Sequence, residues 1–214
     1  MLTLWHCADA RSFRALWALE ELGLPYELKL LPFPPRIRQP EYLAENPLGT
    51  IPLLVDGTTR MTESAAIVQY LATREGPSVL SVEPGDPAYG AWLNGLHFGE
   101  ATLTFPQTLV LRYTRLEPKE RRNPQVAEDY GRWFASRLKI LNEIVPEGGW
   151  YCAGRFTGAD ISVGYALLLA ETLGLSERFG PHIAAYWDRL QARAGFQAAK
   201  RAQASEGTPG WQSA

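Results

Sequence analysis

Residues 74–87 read REGPSVLSVEPGDP, and this stretch divides the chain into two parts with different periodicity. Proline, glycine and acidic residues replace regular apolar spacing there, which marks a linker between domains. Upstream, residues 2–5 read as a short strand. Residues 12–22 read as a helix carrying Phe13, Leu16, Trp17 and Leu19 on one side and stopped by Gly23 and Pro25, and residues 26–31 as a second strand. A strand-helix-strand crossover puts those two strands parallel in one sheet. Residues 51–55 and 59–61 form a hairpin around Asp56-Gly57, followed by a helix over 63–71, so the sheet is mixed and four-stranded. Downstream the pattern is helical throughout. Tyr89, Trp92, Leu93 and Leu96 begin one long helix, Val126 to Leu141 build another, and 161–173 and 183–190 supply two more. The expected organisation is an α/β domain over 1–76, a linker over 77–86, an all-α domain over 87–204 and a loose tail over 205–214.

The balance of charge excludes several partners. Against 21 Lys and Arg stand 23 Asp and Glu, a net charge of −2, which gives no field to collect nucleic acid or anionic lipid. The longest aliphatic block, YALLLA at 165–170, is too short to span a bilayer, and the first twelve residues lack a signal-peptide pattern. A cytoplasmic location is expected, with no nucleic acid and no membrane as partner. The two cysteines, Cys7 and Cys152, have neither disulfide-framework nor metal-ligand spacing, so no metal is expected. His97 and Glu100 face each other one turn apart on a helix, but two residues make no metal site.

Pro52, inside NPLGTIPLLVDG, is the first candidate for chemistry. Proline cannot donate to a sheet ladder. With a cis Ile51-Pro52 bond the chain turns before the strand, and Ile51 offers its N–H and C=O to a peptide-like ligand; with a trans bond Pro52 simply starts a strand. Ten residues on, TES opens a helix with Thr62 as cap. The backbone N–H groups of its first turn suit a carboxylate at Ser64, and Glu63 suits an ammonium, or both residues merely cap the helix. At the first helix start, Ser12 offers a hydroxyl and Arg11 a charge that can stabilise a thiolate; alternatively Ser12 is a cap and Arg11 a solvated charge. Cys7 is either a nucleophile or a small buried hydrophobe, and His6 is structural. Trp92, Phe105 and Tyr113 line an apolar pocket or fill core. Thr157 and Asp160 form a capping box, a folding signal.

Four segments in order, LWALEELGLPYEL, PEYLAENPLGTIPLL, TESAAIVQYL and AGRFTGADIS, resemble a cytosolic glutathione transferase of the bacterial type over residues 1 to about 200. The resemblance implies a thioredoxin-like first domain, an all-helical second domain and a homodimer. It implies glutathione as co-substrate, with the γ-glutamyl end at Glu63 and Ser64, the cysteinyl backbone along Ile51 before a cis-Pro52, and the thiol near Ser12 and Arg11. A small hydrophobic electrophile would be the second substrate. Relatives carry His, Gln or Lys where Ile37 stands, leaving Arg36, Arg38 or Gln39 to hold the glycine carboxylate. The residue before the cis-proline dipeptide is Thr50, and Ala10 stands where relatives have serine. Two other readings compete: a glutathione-dependent disulfide oxidoreductase, and a non-enzymatic binding module on the same fold.

Overall fold

The computed structural model describes residues 1–204; the expected loose tail lies outside them. The described chain forms two compact units, Met1–Val79 together with the residues from Ala192 onward, and Leu80–Gln191.

In the first unit, β1 (Leu2–His6), α1 (Phe13–Leu22), β2 (Tyr26–Leu30), α2 (Pro35–Arg38), β3 (Leu53–Asp56), β4 (Thr59–Met61) and α3 (Ser64–Thr73) follow in order. The sheet order is β2-β1-β3-β4. β1 runs parallel to β2 and antiparallel to β3, and β3 runs antiparallel to β4, so the sheet is mixed and thioredoxin-like. β1 alternates as a one-sided strand should, with Leu2, Leu4 and His6 buried and Thr3 and Trp5 partly exposed. Helix α1 ends at Gly23, whose φ of 61° is the left-handed conformation glycine reaches without cost.

α1 is buried all round from Phe13 to Leu19 because another helix of this unit covers it. That helix is the last described one, α9 (Ala194–Gln203). Phe196 packs edge-on against Phe13 and Trp17, at 5.3 and 5.0 Å between ring centres. Arg193 grips the Glu21 carboxylate with two bonds of 2.8 Å, and Trp17 Nε1 donates to the same carboxylate at 2.9 Å. The residues from 87 on read as one helical half, yet α9 packs on α1, in the unit that holds the sheet. An amphipathic face records that a helix is covered, not by what.

In the second unit a continuous helical run over residues 89–116 comprises α4 (Tyr89–His97), a π-helical stretch Phe98–Thr104, α5 (Phe105–Leu111) and a second π stretch Arg112–Leu116. A π turn leaves carbonyls that side chains must serve. Ser162 donates to Leu96 O at 2.6 Å, Thr104 to Gly99 O at 2.8 Å, and Gln107 Nε2 to both Leu103 O and Ala166 O at 2.9 Å. Gly99 is required by contact, since a Cβ there would stand 2.4 Å from Ser162. α6 (Pro124–Ile144) is capped by Asn123, which accepts from Val126 N at 3.1 Å. α7 (Gly158–Thr172) is the core helix, buried from Gly158 through Ala170, and α8 (Pro181–Gln191) completes the unit. The described elements after residue 79 are helical, as the sequence pattern requires.

The capping box of α7 does more than end a helix. Asp160 accepts from Tyr151 N at 2.8 Å, Tyr186 Oη at 2.7 Å, Thr157 N at 2.8 Å and Thr157 Oγ1 at 3.1 Å, all buried. Asp160→Ala strands those donors, and urea unfolding should show a loss on the order of 3 kcal/mol or more, with Asp160→Asn losing less.

His6 closes β1 and is fully buried, its Nε2 3.0 Å from Gln203 Oε1. Burial lowers its pKa to about 4, outweighing the upward pull of the Gln203 bond. The ring is therefore neutral in the fold, whereas in the unfolded chain it takes a proton near pH 6.5. As pH falls from there toward 4 the unfolded state gains a proton that the fold refuses, so stability drops, by about 3 kcal/mol over the whole window. Urea denaturation from pH 7 to 4.5 should show this slope, and His6→Asn should flatten it.

Candidate functional site at one end of the sheet

The register of the sheet gathers the candidate residues. Trp5 stands opposite Leu53, so the loop after His6 and the Ile51-Pro52 dipeptide emerge at the same end. Met61 stands opposite Leu54, so the chain leaving β4 toward α3 emerges there as well. Three segments far apart in sequence thus meet at one edge.

The Ile51-Pro52 peptide is cis. Ile51 lies beyond the last pair of the β1–β3 ladder, and among the described residues neither its N–H nor its C=O takes a backbone hydrogen bond. Its side chain is packed away, so the open main chain is what it offers a ligand. The preceding turn is braced by two residues that carry no obvious signal in the sequence. Tyr42 Oη and Asn46 Nδ2 both donate to Thr50 O at 2.8 Å, and Asn46 Oδ1 accepts from Leu48 N at 3.2 Å. Thr50 therefore gives its carbonyl to the scaffold, and its exposed side chain accepts from Asn46 Nδ2 at 3.4 Å. Gly49 has φ 62°, and a Cβ there would stand 2.6 Å from Arg36 Cβ, so both conformation and contact demand glycine. A second cis bond, Phe33-Pro34, lies in the proline-rich connection.

At the start of α3 the capping position falls to Glu63 rather than Thr62, in extended conformation and with no side-chain cap bond. Its carboxylate is exposed. Ser64 is the first helical residue and is buried, and its Oγ accepts from Arg14 Nη1 at 3.1 Å. A guanidinium only donates, so this bond does not use the Ser64 O–H proton. Arg14 itself is fully buried. In the sequence it is a single cation among apolar neighbours, and only their burial in the fold marks it as more than a surface charge.

The β1–α1 loop differs from expectation in one respect. Ser12 occupies the capping position of α1 with no cap bond, and its Oγ accepts from Cys7 N at 3.2 Å and donates to Cys7 O at 3.3 Å. It is fully buried. The hydroxyl is directed at Cys7 rather than outward, and it clasps the two ends of the loop. Arg11 beside it is partly exposed. Cys7 is fully buried, its thiol pushed up to about 12 by that burial and its Sγ 3.7 Å from Pro32 O. A thiol that stays protonated is no nucleophile, so the hydrophobe reading of Cys7 holds. Asp9 takes a left-handed φ of 54°. Its N–H donates to Gln203 Oε1 at 3.1 Å, and its Oδ1 accepts from Gln203 Nε2 at 2.5 Å and Lys200 Nζ at 2.7 Å.

Arg36 and Arg38 are exposed on α2 with Ile37 between them, and Arg36 packs against Gly49 in the turn before Ile51. The remaining candidates are these. Trp92 is core, its Nε1 donating to Leu80 O at 3.0 Å, while Phe105 is exposed and Tyr113 partly so. His97 is exposed, and among the described residues no cluster of three metal-ligating side chains exists. No described helix is long and apolar enough to cross a membrane. The arrangement can hold a carboxylate at a helix start, pair an extended peptide at Ile51, and set a group beside α1.

Comparison with known proteins gives the same pattern a family. Residues 10–74 match the glutathione S-transferase N-terminal domain. The chain is 30% identical over 197 residues to glutathione S-transferase 3 of Zea mays, covering 86% of each protein. It is 30% identical over 193 residues to the maleylacetoacetate isomerase of Pseudomonas aeruginosa, covering 88% of this chain and 90% of that one. Among solved structures, a glutathione transferase of Phanerochaete chrysosporium in complex with oxidised glutathione superposes with TM-score 0.82 at 27% identity, covering 95% of this chain and 96% of that one. A glutathione transferase of Methylococcus capsulatus superposes with TM-score 0.79 at 27% identity, covering 95% and 98%. With its mixed sheet, its cis-Pro52 and relatives matched across both units, this chain belongs to the glutathione S-transferase family.

Proposed function

We propose that the protein binds glutathione, holds its thiol as thiolate and conjugates it through sulfur to a small apolar electrophile. The observation that carries this reading is the meeting of Ile51, the start of α3 and the β1–α1 loop at one end of the sheet. The γ-glutamyl carboxylate binds at Ser64, whose hydroxyl is oriented by Arg14, and the ammonium binds Glu63. The cysteinyl main chain pairs with Ile51 beside Pro52, which spans the tripeptide in extended form. Thr50 adds its side chain, and Arg38 takes the glycine carboxylate. The thiol then lies near the start of α1, where Arg11 supplies charge and Ser12 acts by fixing the loop. A free thiol with pKa near 8.5 is only a few per cent ionised at neutral pH, so this stabilisation is the main catalytic demand. The chemistry is nucleophilic attack by sulfur on carbon, with the leaving group departing as an anion and the conjugate released.

Replacing Glu63 by Ala removes a charge-assisted contact of roughly 1.5 to 3 kcal/mol, so calorimetry should show glutathione affinity falling about ten-fold or more. Unchanged affinity would defeat this placement. Product analysis with an electrophile against a mixed disulfide distinguishes conjugation from disulfide exchange.

The pH dependence of glutathione thiolate absorbance tests the loop. Arg11→Ala should raise the bound thiol's pKa, Ser12→Ala should slow conjugation on the order of ten-fold, and Cys7→Ala should leave the titration where it is. A shift in the Cys7 variant alone would overturn the assignment of Arg11 and Ser12.

We also propose a homodimer with the helical run from Tyr89 at its interface. Trp92 is covered within its own chain, so the support comes from the family and from exposed Phe105 rather than from a bare aromatic face. Sedimentation at micromolar concentration should give a dimer; a monomer would refute it.

A further inference from the structure

We infer that Gln203 and Lys200 of α9 are positioning residues for the thiol-binding loop, so that a helix at the far end of the chain sets the geometry of the reaction. The inference rests on the functional reading above and adds to it the element that holds the loop in shape.

The loop between β1 and α1 is closed by its own backbone, Ala10 N donating to Cys7 O at 3.2 Å, and side chains hold it at two further places. Its ends are joined by the Ser12 hydroxyl on the Cys7 backbone. Its apex is Asp9, a non-glycine residue with φ of 54°, a left-handed conformation that Asp reaches at some cost and that a neighbour can hold in place. Gln203 is that neighbour. One face of its amide accepts the Asp9 N–H at 3.1 Å, the other donates to Asp9 Oδ1 at 2.5 Å, and the same Oε1 meets His6 Nε2 at 3.0 Å. Lys200, one turn earlier, adds an ion pair to Asp9 Oδ1 at 2.7 Å. The amide thus reads both main chain and side chain of one residue, a two-point match that a hydrophobic contact cannot make. Ala10 and Arg11 follow directly, so the turn at Asp9 determines where Arg11 projects. α9 is seated independently of the loop, through Phe196 on Phe13 and Trp17 and through Arg193 on Glu21, and it can therefore act as a fixed support.

The test uses the full chain and reads three quantities: amide exchange at Asp9, kcat for conjugation, and KM for glutathione. Gln203→Glu keeps the acceptor but sets a carboxylate against Asp9. It should speed Asp9 exchange about ten-fold and lower kcat about five-fold or more, with KM for glutathione within about two-fold because Glu63, Ser64 and Ile51 are untouched. The double variant Asp9→Asn with Gln203→Glu reverses donor and acceptor and should restore both exchange and kcat. Lys200→Met should show a smaller change in the same direction. Arg193→Ala, which loosens the other end of α9, is the control for a purely structural role. The inference is overturned if Gln203→Glu and Arg193→Ala change the three quantities alike, if kcat and KM move together, or if the double variant recovers nothing. Should the wild type form no conjugate, the functional reading fails, while exchange and its recovery still decide whether Gln203 holds the loop.

Discussion

The antiparallel pairing of β1 with β3 is the constraint on which this molecule's site depends. β1 and β2 are parallel, as their helical crossover requires, and a third strand running the same way would leave the β1–α1 loop and Pro52 at opposite ends. Reversing β3 brings both to one end, and the tight Asp56-Gly57 turn then returns β4 so that α3 also starts there. A one-residue slip of that pairing would turn Leu53 and Leu54 over and remove Ile51 from the edge. Leu4 and its cross-strand partner Leu54 are both buried, as is Leu2 on the same face of β1, so the hydrophobic core and the site draw on the same contacts.

Much of this was legible in the residues. Strand and helix periods gave the mixed sheet and the helical second part, and Pro52 at a strand mouth pointed to open backbone at Ile51. The capping box at Thr157 and Asp160 was read from three-residue spacing. What escaped was set by tertiary contact. Ser12 has the composition of a cap or a thiol partner, yet the short loop turns its hydroxyl onto Cys7. Arg14 reads as one more helical charge until the burial of its neighbours is known. Tyr42 and Asn46 support Thr50 through a turn whose shape depends on Gly49, and no pattern of period two or 3.6 encodes such a brace. The stretch that forms α9 was read only as part of the all-α domain over 87–204, and its partner, α1, was not foreseen.

The π-helical stretches illustrate how packing reshapes a helix that sequence alone would draw straight. The wider turn at Phe98–Thr104 exposes carbonyls, and Ser162, Thr104 and Gln107 supply donors where the backbone withdraws them. The close approach at Gly99 makes this possible, since a larger residue would push α7 away and lose the two bonds that cross to it, Ser162 to Leu96 O and Gln107 to Ala166 O. Polar side chains inside a helical core are here part of the fold's specification.

Both cysteines are buried, and burial raises both thiols, Cys7 to about 12. Disulfide exchange proceeds through the thiolate and needs access to it, and these sulfurs have neither. A chain handling glutathione meets its oxidised form whenever the surrounding redox poise shifts, and an accessible cysteine near the ligand would then be capped. Buried as they are, Cys7 and Cys152 lie out of reach of that capping, so a shift in redox poise finds no exposed cysteine in this chain.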